Sequence, residues 1–154
     1  MEIERKFLIN ALPDTIELNK YPKRNIEQGY LCTEPVVRVR RDNDEYYLTY
    51  KSKGMMVREE YNLPLTKEAY NSLIKKSDGN IITKTRYEIP EKDNLTIEVD
   101  LFEGKYAGLI LAEVEFDNEN DALAYIPPAW FGKDVTNNPA YHNSNMAKSI
   151  SGLC

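Results

Sequence analysis

Charged side chains recur at every second position in most of the strand-like segments of this sequence, and this pattern limits the folds open to it. In the first segment Glu2, Glu4 and Lys6 occupy one parity, whereas Ile3 and Phe7 occupy the other. Because side chains alternate between the two faces of a strand, these charges share one face. The charged face continues in later segments with Arg38, Arg40, Lys51, Arg58, Glu60, Lys84, Arg86, Glu88, Glu98, Asp100, Glu113 and Glu115.

Eight segments rich in β-branched, aromatic or alternating residues predict strands. They are Glu2–Leu8, Gln28–Leu31, Val36–Arg41, Tyr46–Lys51, Val57–Leu63, Ile81–Ile89, Thr96–Leu101 and Leu111–Phe116. Turn sequences such as Asp42–Asp44 and Glu91–Asn94 separate several of them. The sequence therefore predicts a mainly β (α+β) fold, an eight-stranded antiparallel closed β-barrel with a few flanking helices.

Three short helices are expected beside the strands. One begins after Thr66, a good N-cap, and is expected to stop at Ser77–Gly79. A second is expected over about Asn118–Tyr125, ahead of two prolines. A third is expected over Asn143–Ile150, and the tail that contains it is a candidate for closing one mouth of the barrel.

Two arrangements would place the charges on one face. In a half-buried sheet they would simply form the solvated face. Solvated strand faces normally mix in Thr, Ser and Gln, however, whereas here charged pairs and triplets recur in segment after segment. A closed barrel with the charges inside fits the whole set better. Its interior must hold water, metal or a charged ligand, because an unpaired buried ion costs several kcal/mol.

The two signs of charge are segregated among the predicted strands. The acids concentrate in the first strand and the last two, and the bases in the third, fourth and sixth. Clustered carboxylates attract a hard divalent cation such as Mg²⁺ or Mn²⁺, and clustered Arg and Lys bind phosphate. The interior is therefore predicted to bind a metal-bound polyphosphate.

Size, charge and cysteine content set further expectations. The 154 residues predict a single domain over residues 1–154, and the net charge of −5 argues against nonspecific binding of nucleic acid. The chain has only two cysteines, and its charged start, Met1–Lys6, does not resemble a signal peptide or membrane span. We therefore expect a soluble cytoplasmic protein without a nucleic-acid or membrane partner, and leave open whether it forms a homodimer.

The opening Glu-Ile-Glu-Arg-Lys of Glu2–Lys6 resembles the Glu-x-Glu-x-Lys signature of the CYTH, or triphosphate tunnel metalloenzyme, family. Later segments are similar to the other motifs of the family and follow in the same order: Gln28–Leu31, Val37–Arg41, Leu48–Lys51, Lys84–Tyr87, Glu98–Asp100 and Ala112–Glu115. The resemblance covers nearly the whole chain. It implies an eight-stranded antiparallel barrel that forms a tunnel and acts on triphosphate-containing substrates.

The resemblance also implies roles for individual residues. Divalent metal, Mg²⁺ or Mn²⁺, would be held by Glu2, Glu4, Asp100, Glu113 and Glu115. Substrate phosphates would be held by Lys6, Arg38, Arg40, Lys51, Arg58, Lys84 and Arg86. Glu4, Lys84 and Arg86 are expected to act in the reaction itself. Lys84 would help to activate water, because a lysine among other cations can have a lowered pKa.

Four functions remain open at this point. The favoured one is metal-dependent hydrolysis of inorganic tripolyphosphate to pyrophosphate and phosphate. The resemblance also covers thiamine triphosphatases and adenylate cyclases, although no base-reading motif for a cyclase is apparent. A noncatalytic polyphosphate-binding module is the fourth, but binding phosphate alone would not need the acids. The single histidine, His142, is expected to have a surface or packing role.

Overall fold

The computed structural model describes residues 1–147, which contain a nine-stranded antiparallel sheet curled into a nearly closed barrel. The strands are β1 (Glu2–Leu8), β2 (Lys23–Thr33), β3 (Val36–Asp42), β4 (Glu45–Lys51), β5 (Val57–Arg58), β6 (Glu60–Pro64), β7 (Asp78–Pro90), β8 (Thr96–Phe102) and β9 (Ile110–Glu115). Three short helices accompany them, α1 (Lys67–Ile74), α2 (Glu119–Ala124) and α3 (Asn143–Met146). The prediction of a mainly β antiparallel barrel with few helices is confirmed.

One short stretch of chain joins the two edges of the sheet. The strand order is β5-β1-β9-β8-β7-β2-β3-β4-β6, so β5 and β6 lie at opposite edges although only Glu59 separates them in sequence. β5 pairs with β1 through Glu2↔Arg58 and Ile3↔Val57, and β6 pairs with β4. This stretch therefore closes the wall of the barrel.

Val57–Leu63 is not one continuous strand, as predicted, but is divided between β5 and β6. The described residues therefore form nine strands rather than the eight that were predicted. At Glu59 the backbone leaves the ladder, because its N–H donates to the Ser52 hydroxyl (2.9 Å) and its carbonyl accepts from the Ser52 N–H (3.0 Å). The chain can then change partner from β1 to β4. Arg58 and Glu60 both face the interior in spite of the break. The alternation of residues in the sequence therefore does not indicate where the strand is interrupted.

Apolar side chains form two separate clusters. One packs the outer faces of β1, β8 and β9 against α2 and contains Ile3, Phe7, Ile9, Ile89, Ile97, Val99, Ala112, Val114, Phe116, Ala122, Tyr125 and Phe131. The other contains Tyr30, Val36, Ile82, Phe102, Leu111, Val135, Met146 and Ala147. Phe102 and Leu111 lie in register with Lys84 and Asp100, on the same face as the charges. The interior is therefore apolar at one end and charged along the rest.

Helix α1 begins at its predicted cap and ends earlier than predicted. The Thr66 hydroxyl accepts a hydrogen bond from the Ala69 N–H (3.1 Å), which satisfies one free donor of the first turn. The helix ends at Ile74, and Asp78, the first residue of β7, already pairs with Tyr30 of β2. The predicted stop at Ser77–Gly79 therefore lies beyond the end of the helix.

Arg5 ties helix α2 to the outer wall of the barrel. Its guanidinium donates to the carbonyl oxygens of Ala122 (3.0 Å) and Tyr125 (2.8 Å) and forms an ion pair with Asp134 (3.0 Å). The last carbonyls of a helix lack partners within it, so a cation placed there satisfies them. Arg5 therefore works on the outer face, as its parity in the strand predicts.

Helix α3 covers only the first part of the third predicted helix. It spans Asn143–Met146, and the rest of that prediction lies outside the described residues. Its Met146 side chain packs in the apolar end of the barrel interior. None of the helices in residues 1–147 is both long enough and apolar enough to cross a membrane.

Candidate functional site

A chamber of about 420 Å³ occupies the charged part of the barrel interior. Every residue predicted for the site except Asp100 lines it, namely Glu2, Glu4, Lys6, Arg38, Arg40, Lys51, Arg58, Lys84, Arg86, Glu113 and Glu115. These side chains come from six strands that are far apart in sequence. They meet because closing the sheet turns one face of every strand toward the same space.

Acidic side chains from three neighbouring strands lie side by side on the chamber wall. Glu4 of β1 is directly opposite Glu115 of β9, and Glu113 of β9 is directly opposite Glu98 of β8. Like charges directly opposite one another destabilise a sheet. This half of the wall therefore favours the binding of positive charge.

Two chamber lysines have carboxylate partners from this acidic wall. The Nζ atom of Lys6 lies 3.3 Å from Glu113, and that of Lys51 lies 3.0 Å from Glu2. Burial disfavours the ammonium group of Lys6, but the carboxylates of Glu113, Glu4 and Asp100 together outweigh burial and raise the pKa of this lysine. The positive charges of Lys6 and Lys51 are therefore compensated within the protein.

Asp100 is fully buried and compensates two further cations. Its carboxylate accepts from Lys84 Nζ (2.7 Å) and, through both oxygens, from the Arg86 guanidinium (2.7 and 2.9 Å). Burial would raise the pKa of Asp100, but Arg86 and Lys84 together hold it below its usual value. Asp100 thus stands outside the chamber lining with both oxygens engaged by the cations in front of it.

Lys84 is a buried amine with an unusual proton affinity. Burial lowers its pKa to about 7, even though the adjacent Asp100 carboxylate acts in the opposite direction. Its Nζ also donates to the Asn143 side-chain oxygen (2.9 Å). A lysine that titrates near neutral pH in a cavity can take up or release a proton during a reaction.

Arg38 and Arg40 differ from these cations in having no carboxylate partner within residues 1–147. Arg38 donates to the Thr49 hydroxyl (3.1 Å), and its buried Nε has no hydrogen-bond partner there. Arg40 donates to the Gln28 side-chain oxygen (2.8 Å). Burial and the nearby Arg38 guanidinium lower the pKa of Arg40 to about 9. Two adjacent guanidinium groups with neutral partners form a strong binding site for an anion.

Glu4 and Glu115 are the acidic counterparts of this arginine pair, since neither forms an ion pair in the described part of the chain. Burial, reinforced by Glu113 and then Glu2, raises the pKa of Glu4 to about 8. Glu115 is exposed to solvent, and the partial burial of its carboxyl group together with the nearby Glu2 carboxylate raises its pKa to about 7. A cation bound beside these groups would stabilise their charged forms.

The donor chemistry of the acidic wall fits a hard divalent cation. Glu2, Glu4, Glu113 and Glu115 supply carboxylate oxygens from the adjacent strands β1 and β9, and oxygen is the ligand that Mg²⁺ and Mn²⁺ prefer. Across residues 1–147, no three acidic, histidine or cysteine side chains are grouped closely enough to form a ready-made metal centre. A divalent cation that bound there would therefore replace the ion pairs of Glu113 with Lys6 and of Glu2 with Lys51 by metal–carboxylate bonds.

Several residues that line the chamber were not among the predicted site residues: Arg24, Tyr30, Asp42, Glu45, Tyr47, Thr49, Asn62, Asn143 and Ser144. Thr49 nevertheless has the parity of the charged face, and Asn143 belongs to the tail that was a candidate for closing one mouth of the barrel. Arg24 is missed because the predicted second strand begins at Gln28, whereas β2 begins at Lys23. Arg24 lies four residues before Gln28 and therefore on the same face of the strand. The alternation in the sequence could thus have identified Arg24 as a chamber residue. Asn143 and Ser144 carry no such signal, because they do not belong to a strand.

The predicted surface position of His142 is wrong, although a packing role fits. The side chain is 4% exposed, and its Nε2 donates to the Thr136 carbonyl (3.0 Å). Its Nδ1 lies 3.5 Å from the Arg58 guanidinium. Burial, together with the Lys6 charge, lowers the pKa of His142 to about 4, so the ring is neutral at neutral pH.

Known proteins share both the sequence pattern and the fold. A family model described as the CYTH domain matches residues 1–125. An inorganic triphosphatase of Nitrosomonas europaea is 41% identical over 152 residues, covering 97% of this chain and 98% of that protein. An inorganic triphosphatase of Acetivibrio thermocellus is 36% identical over 155 residues, covering 96% and 94%.

A solved structure extends this similarity to three dimensions. The crystal structure of the inorganic triphosphatase NE1496 matches with a TM-score of 0.70 and 37% identity, covering 97% of this chain and 96% of that one. The antiparallel barrel of the present chain and its charged interior agree with the match to the CYTH domain model. The chain belongs to the CYTH family.

Proposed function

We propose that this protein hydrolyses inorganic triphosphate to pyrophosphate and phosphate in the charged chamber. The observation that carries the proposal is a double imbalance of charge within one cavity of about 420 Å³. Within residues 1–147, Arg38 and Arg40 have no carboxylate partner, and Glu4 and Glu115 have no cationic partner. A triphosphate chain that carries a divalent cation supplies both. The two relatives named inorganic triphosphatase, matched over nearly their whole length, support the same substrate.

Arg38 and Arg40 bind the phosphate chain most strongly in this proposal, because no internal carboxylate competes for them. Lys51 adds a further N–H donor from the neighbouring strand β4, and Lys6 and Arg58 add others from β1 and β5. Phosphoryl transfer involves little covalent chemistry by the protein, so positioning and charge stabilisation account for most of the catalysis. A rigid barrel wall is well suited to both.

Glu2, Glu4, Glu113 and Glu115 would hold the divalent metal, for which we propose Mg²⁺ or Mn²⁺. When bound, the metal neutralises charge on phosphate oxygens and makes a bound water more acidic. We assign Asp100 a different role, because both of its oxygens already bind Lys84 and Arg86. It keeps these two cations directed along one side of the chamber.

Lys84 and Arg86 would act on the reacting groups. Hydrolysis breaks one phosphoanhydride P–O bond and adds water across it, which yields one orthophosphate and one pyrophosphate. Lys84 Nζ, which titrates at about 7, can accept the proton that the attacking water loses. The Arg86 guanidinium stabilises the negative charge on the phosphoryl group during transfer.

The remaining expectations stay predictions. Cys32 is a free cysteine, which supports a cytoplasmic location, since reducing compartments keep thiols free. A single domain over residues 1–154, the lack of nucleic-acid and membrane partners, and a homodimer are each open to direct measurement. So is the choice between Mg²⁺ and Mn²⁺.

The first test compares four substrate reactions. We expect the purified protein to release phosphate from tripolyphosphate with Mg²⁺ or Mn²⁺, faster than from ATP or thiamine triphosphate, and to form no cyclic AMP from ATP. Release should stop when a chelator removes the metal. Formation of cyclic AMP, or binding of tripolyphosphate without cleavage, would contradict the proposal and favour the cyclase or the binding module.

The second test removes one uncompensated guanidinium. Arg40→Gln should raise the KM for tripolyphosphate at least about tenfold, since a hydrogen bond to a charged group contributes about 1.5–3 kcal/mol. The thermal midpoint should not fall, because the lost cation is buried without a carboxylate partner. Arg41→Gln is the matched control, as this neighbour does not line the chamber. Equal KM values for Arg40→Gln and the wild type would exclude Arg40 from phosphate binding.

The third test uses the raised pKa of Glu4 in metal-free protein. Glu4 keeps its proton up to about pH 8 when folded, whereas an unfolded glutamate loses it near 4.5. The contribution of Glu4 to stability therefore falls as pH rises through this window. Glu4→Gln removes that loss, so the variant should melt above the wild type by a margin that grows from pH 4.5 to 8. Calorimetry in the presence of a chelator measures the margin, and a margin that shrinks with rising pH would refute the pKa assignment.

Metal binding should reverse the order of the melting temperatures of the wild type and Glu4→Gln. Added Mg²⁺ stabilises the folded state in proportion to its affinity, so it should raise the melting temperature of the wild type more than that of Glu4→Gln. Phosphate release by the variant should fall on the order of 100-fold. Near wild-type release by Glu4→Gln would remove Glu4 from the metal site.

A further inference from the structure

Three consecutive residues of the C-terminal segment each present one hydrogen-bond acceptor to a different chamber cation. The Tyr141 carbonyl accepts from Lys6 Nζ at 3.1 Å. The His142 Nδ1 lies 3.5 Å from the Arg58 guanidinium, and the Asn143 Oδ1 accepts from Lys84 Nζ at 2.9 Å. The cations come from the neighbouring strands β1 and β5 and from β7, which lies three strands from β1, so this short segment contacts two separate parts of the wall.

All three acceptors are neutral. The Nε2 of His142 donates to a backbone carbonyl, which leaves Nδ1 unprotonated and able to accept from Arg58, since arginine is only a donor. An amide oxygen and a peptide carbonyl likewise direct an ammonium group without cancelling its charge. A carboxylate in the same place would direct the cation but would also compete with a phosphate group for it.

The segment that carries these acceptors is fixed on both sides. The Lys6 N–H donates to the Thr136 hydroxyl (3.0 Å), and the Val135 N–H donates to the Lys6 carbonyl (2.9 Å), which attaches the segment to β1. Beyond it, Met146 is buried in the apolar end of the barrel. Asn143 is held once more by the Gln28 Nε2 (3.1 Å), so its side-chain oxygen has a defined direction.

We propose that residues 141–143 are a positioning element that directs the N–H groups of Lys6, Arg58 and Lys84 toward the phosphate chain without adding negative charge of its own. The proposal rests on the proposed function, since it concerns the same chamber. In this proposal residues 141–143 act through the cations that they contact, so they are positioning residues.

Asn143→Asp gives the sharpest test, because it keeps the shape and the acceptor and changes only the charge. The new carboxylate would pair with Lys84, so the variant should fold and melt no lower than the wild type. Its affinity for imidotriphosphate, a nonhydrolysable probe, should fall at least about tenfold in titration calorimetry, and the KM for tripolyphosphate should rise similarly. Asn145→Asp is the control, since the Asn145 side chain donates to the Pro139 carbonyl and does not line the chamber.

A second pair of variants tests the histidine contact. His142→Asn retains an acceptor near the position of Nδ1, whereas His142→Leu does not. We expect His142→Asn to keep a KM closer to that of the wild type than His142→Leu does. A purely structural role would instead make the KM follow the melting temperature, and that result would overturn the proposal.

The outcomes separate this proposal from the proposed function. Wild-type affinity and kinetics in Asn143→Asp would overturn the positioning role while leaving the triphosphatase assignment intact. A wild type that binds imidotriphosphate but cleaves no triphosphate would overturn the proposed function. Weaker binding by Asn143→Asp in that case would still support the positioning role.

Discussion

Charge buried in a protein is costly unless it is paired, and this barrel pairs its interior charges unevenly. Lys51 and Lys84 each have a carboxylate oxygen within 3.0 Å, whereas Arg38 and Arg40 have only neutral oxygen partners in the described chain. On the other side, Glu4 forms no ion pair within residues 1–147, and burial with the nearby Glu113 and Glu2 carboxylates raises its pKa to about 8. The imbalance places the strongest unmet demand for an anion and for a cation in the same chamber. A phosphate chain with its metal meets both demands together, so each should make the other bind more tightly.

The fold maintains this imbalance by separating apolar from charged surface. Apolar side chains pack outside the wall and at one end of the interior, where Phe102 and Leu111 meet the C-terminal segment. Most of the charged side chains are thereby gathered in the remaining interior, although Glu115 stays exposed to solvent. The closing strand also belongs to the site, because Arg58 pairs in register with Glu2 at the seam. Closure of the barrel and assembly of the chamber are therefore one event.

Strand parity in the sequence predicts most of the chamber. Glu2, Glu4 and Lys6 face inward because alternation along a strand is a local geometric property that a single sequence displays. Contacts made by distant segments have no such local signature. Asp100 has the correct parity but is covered by Lys84, a fact that depends on the neighbouring strand. His142 reaches Arg58, a residue of the chamber lining, only because the C-terminal segment folds back against the barrel. The break at Glu59 likewise reflects a change of partner strand.

A crystal structure with Mn²⁺ and imidotriphosphate tests the central claim most directly. The account predicts phosphate oxygens within hydrogen-bond distance of the Arg38 and Arg40 guanidinium groups, with an anomalous Mn²⁺ signal between the phosphates and the Glu4 carboxylate. Phosphates bound outside the chamber would contradict it. So would phosphates bound inside the chamber with both arginines still bonded only to Thr49 and Gln28.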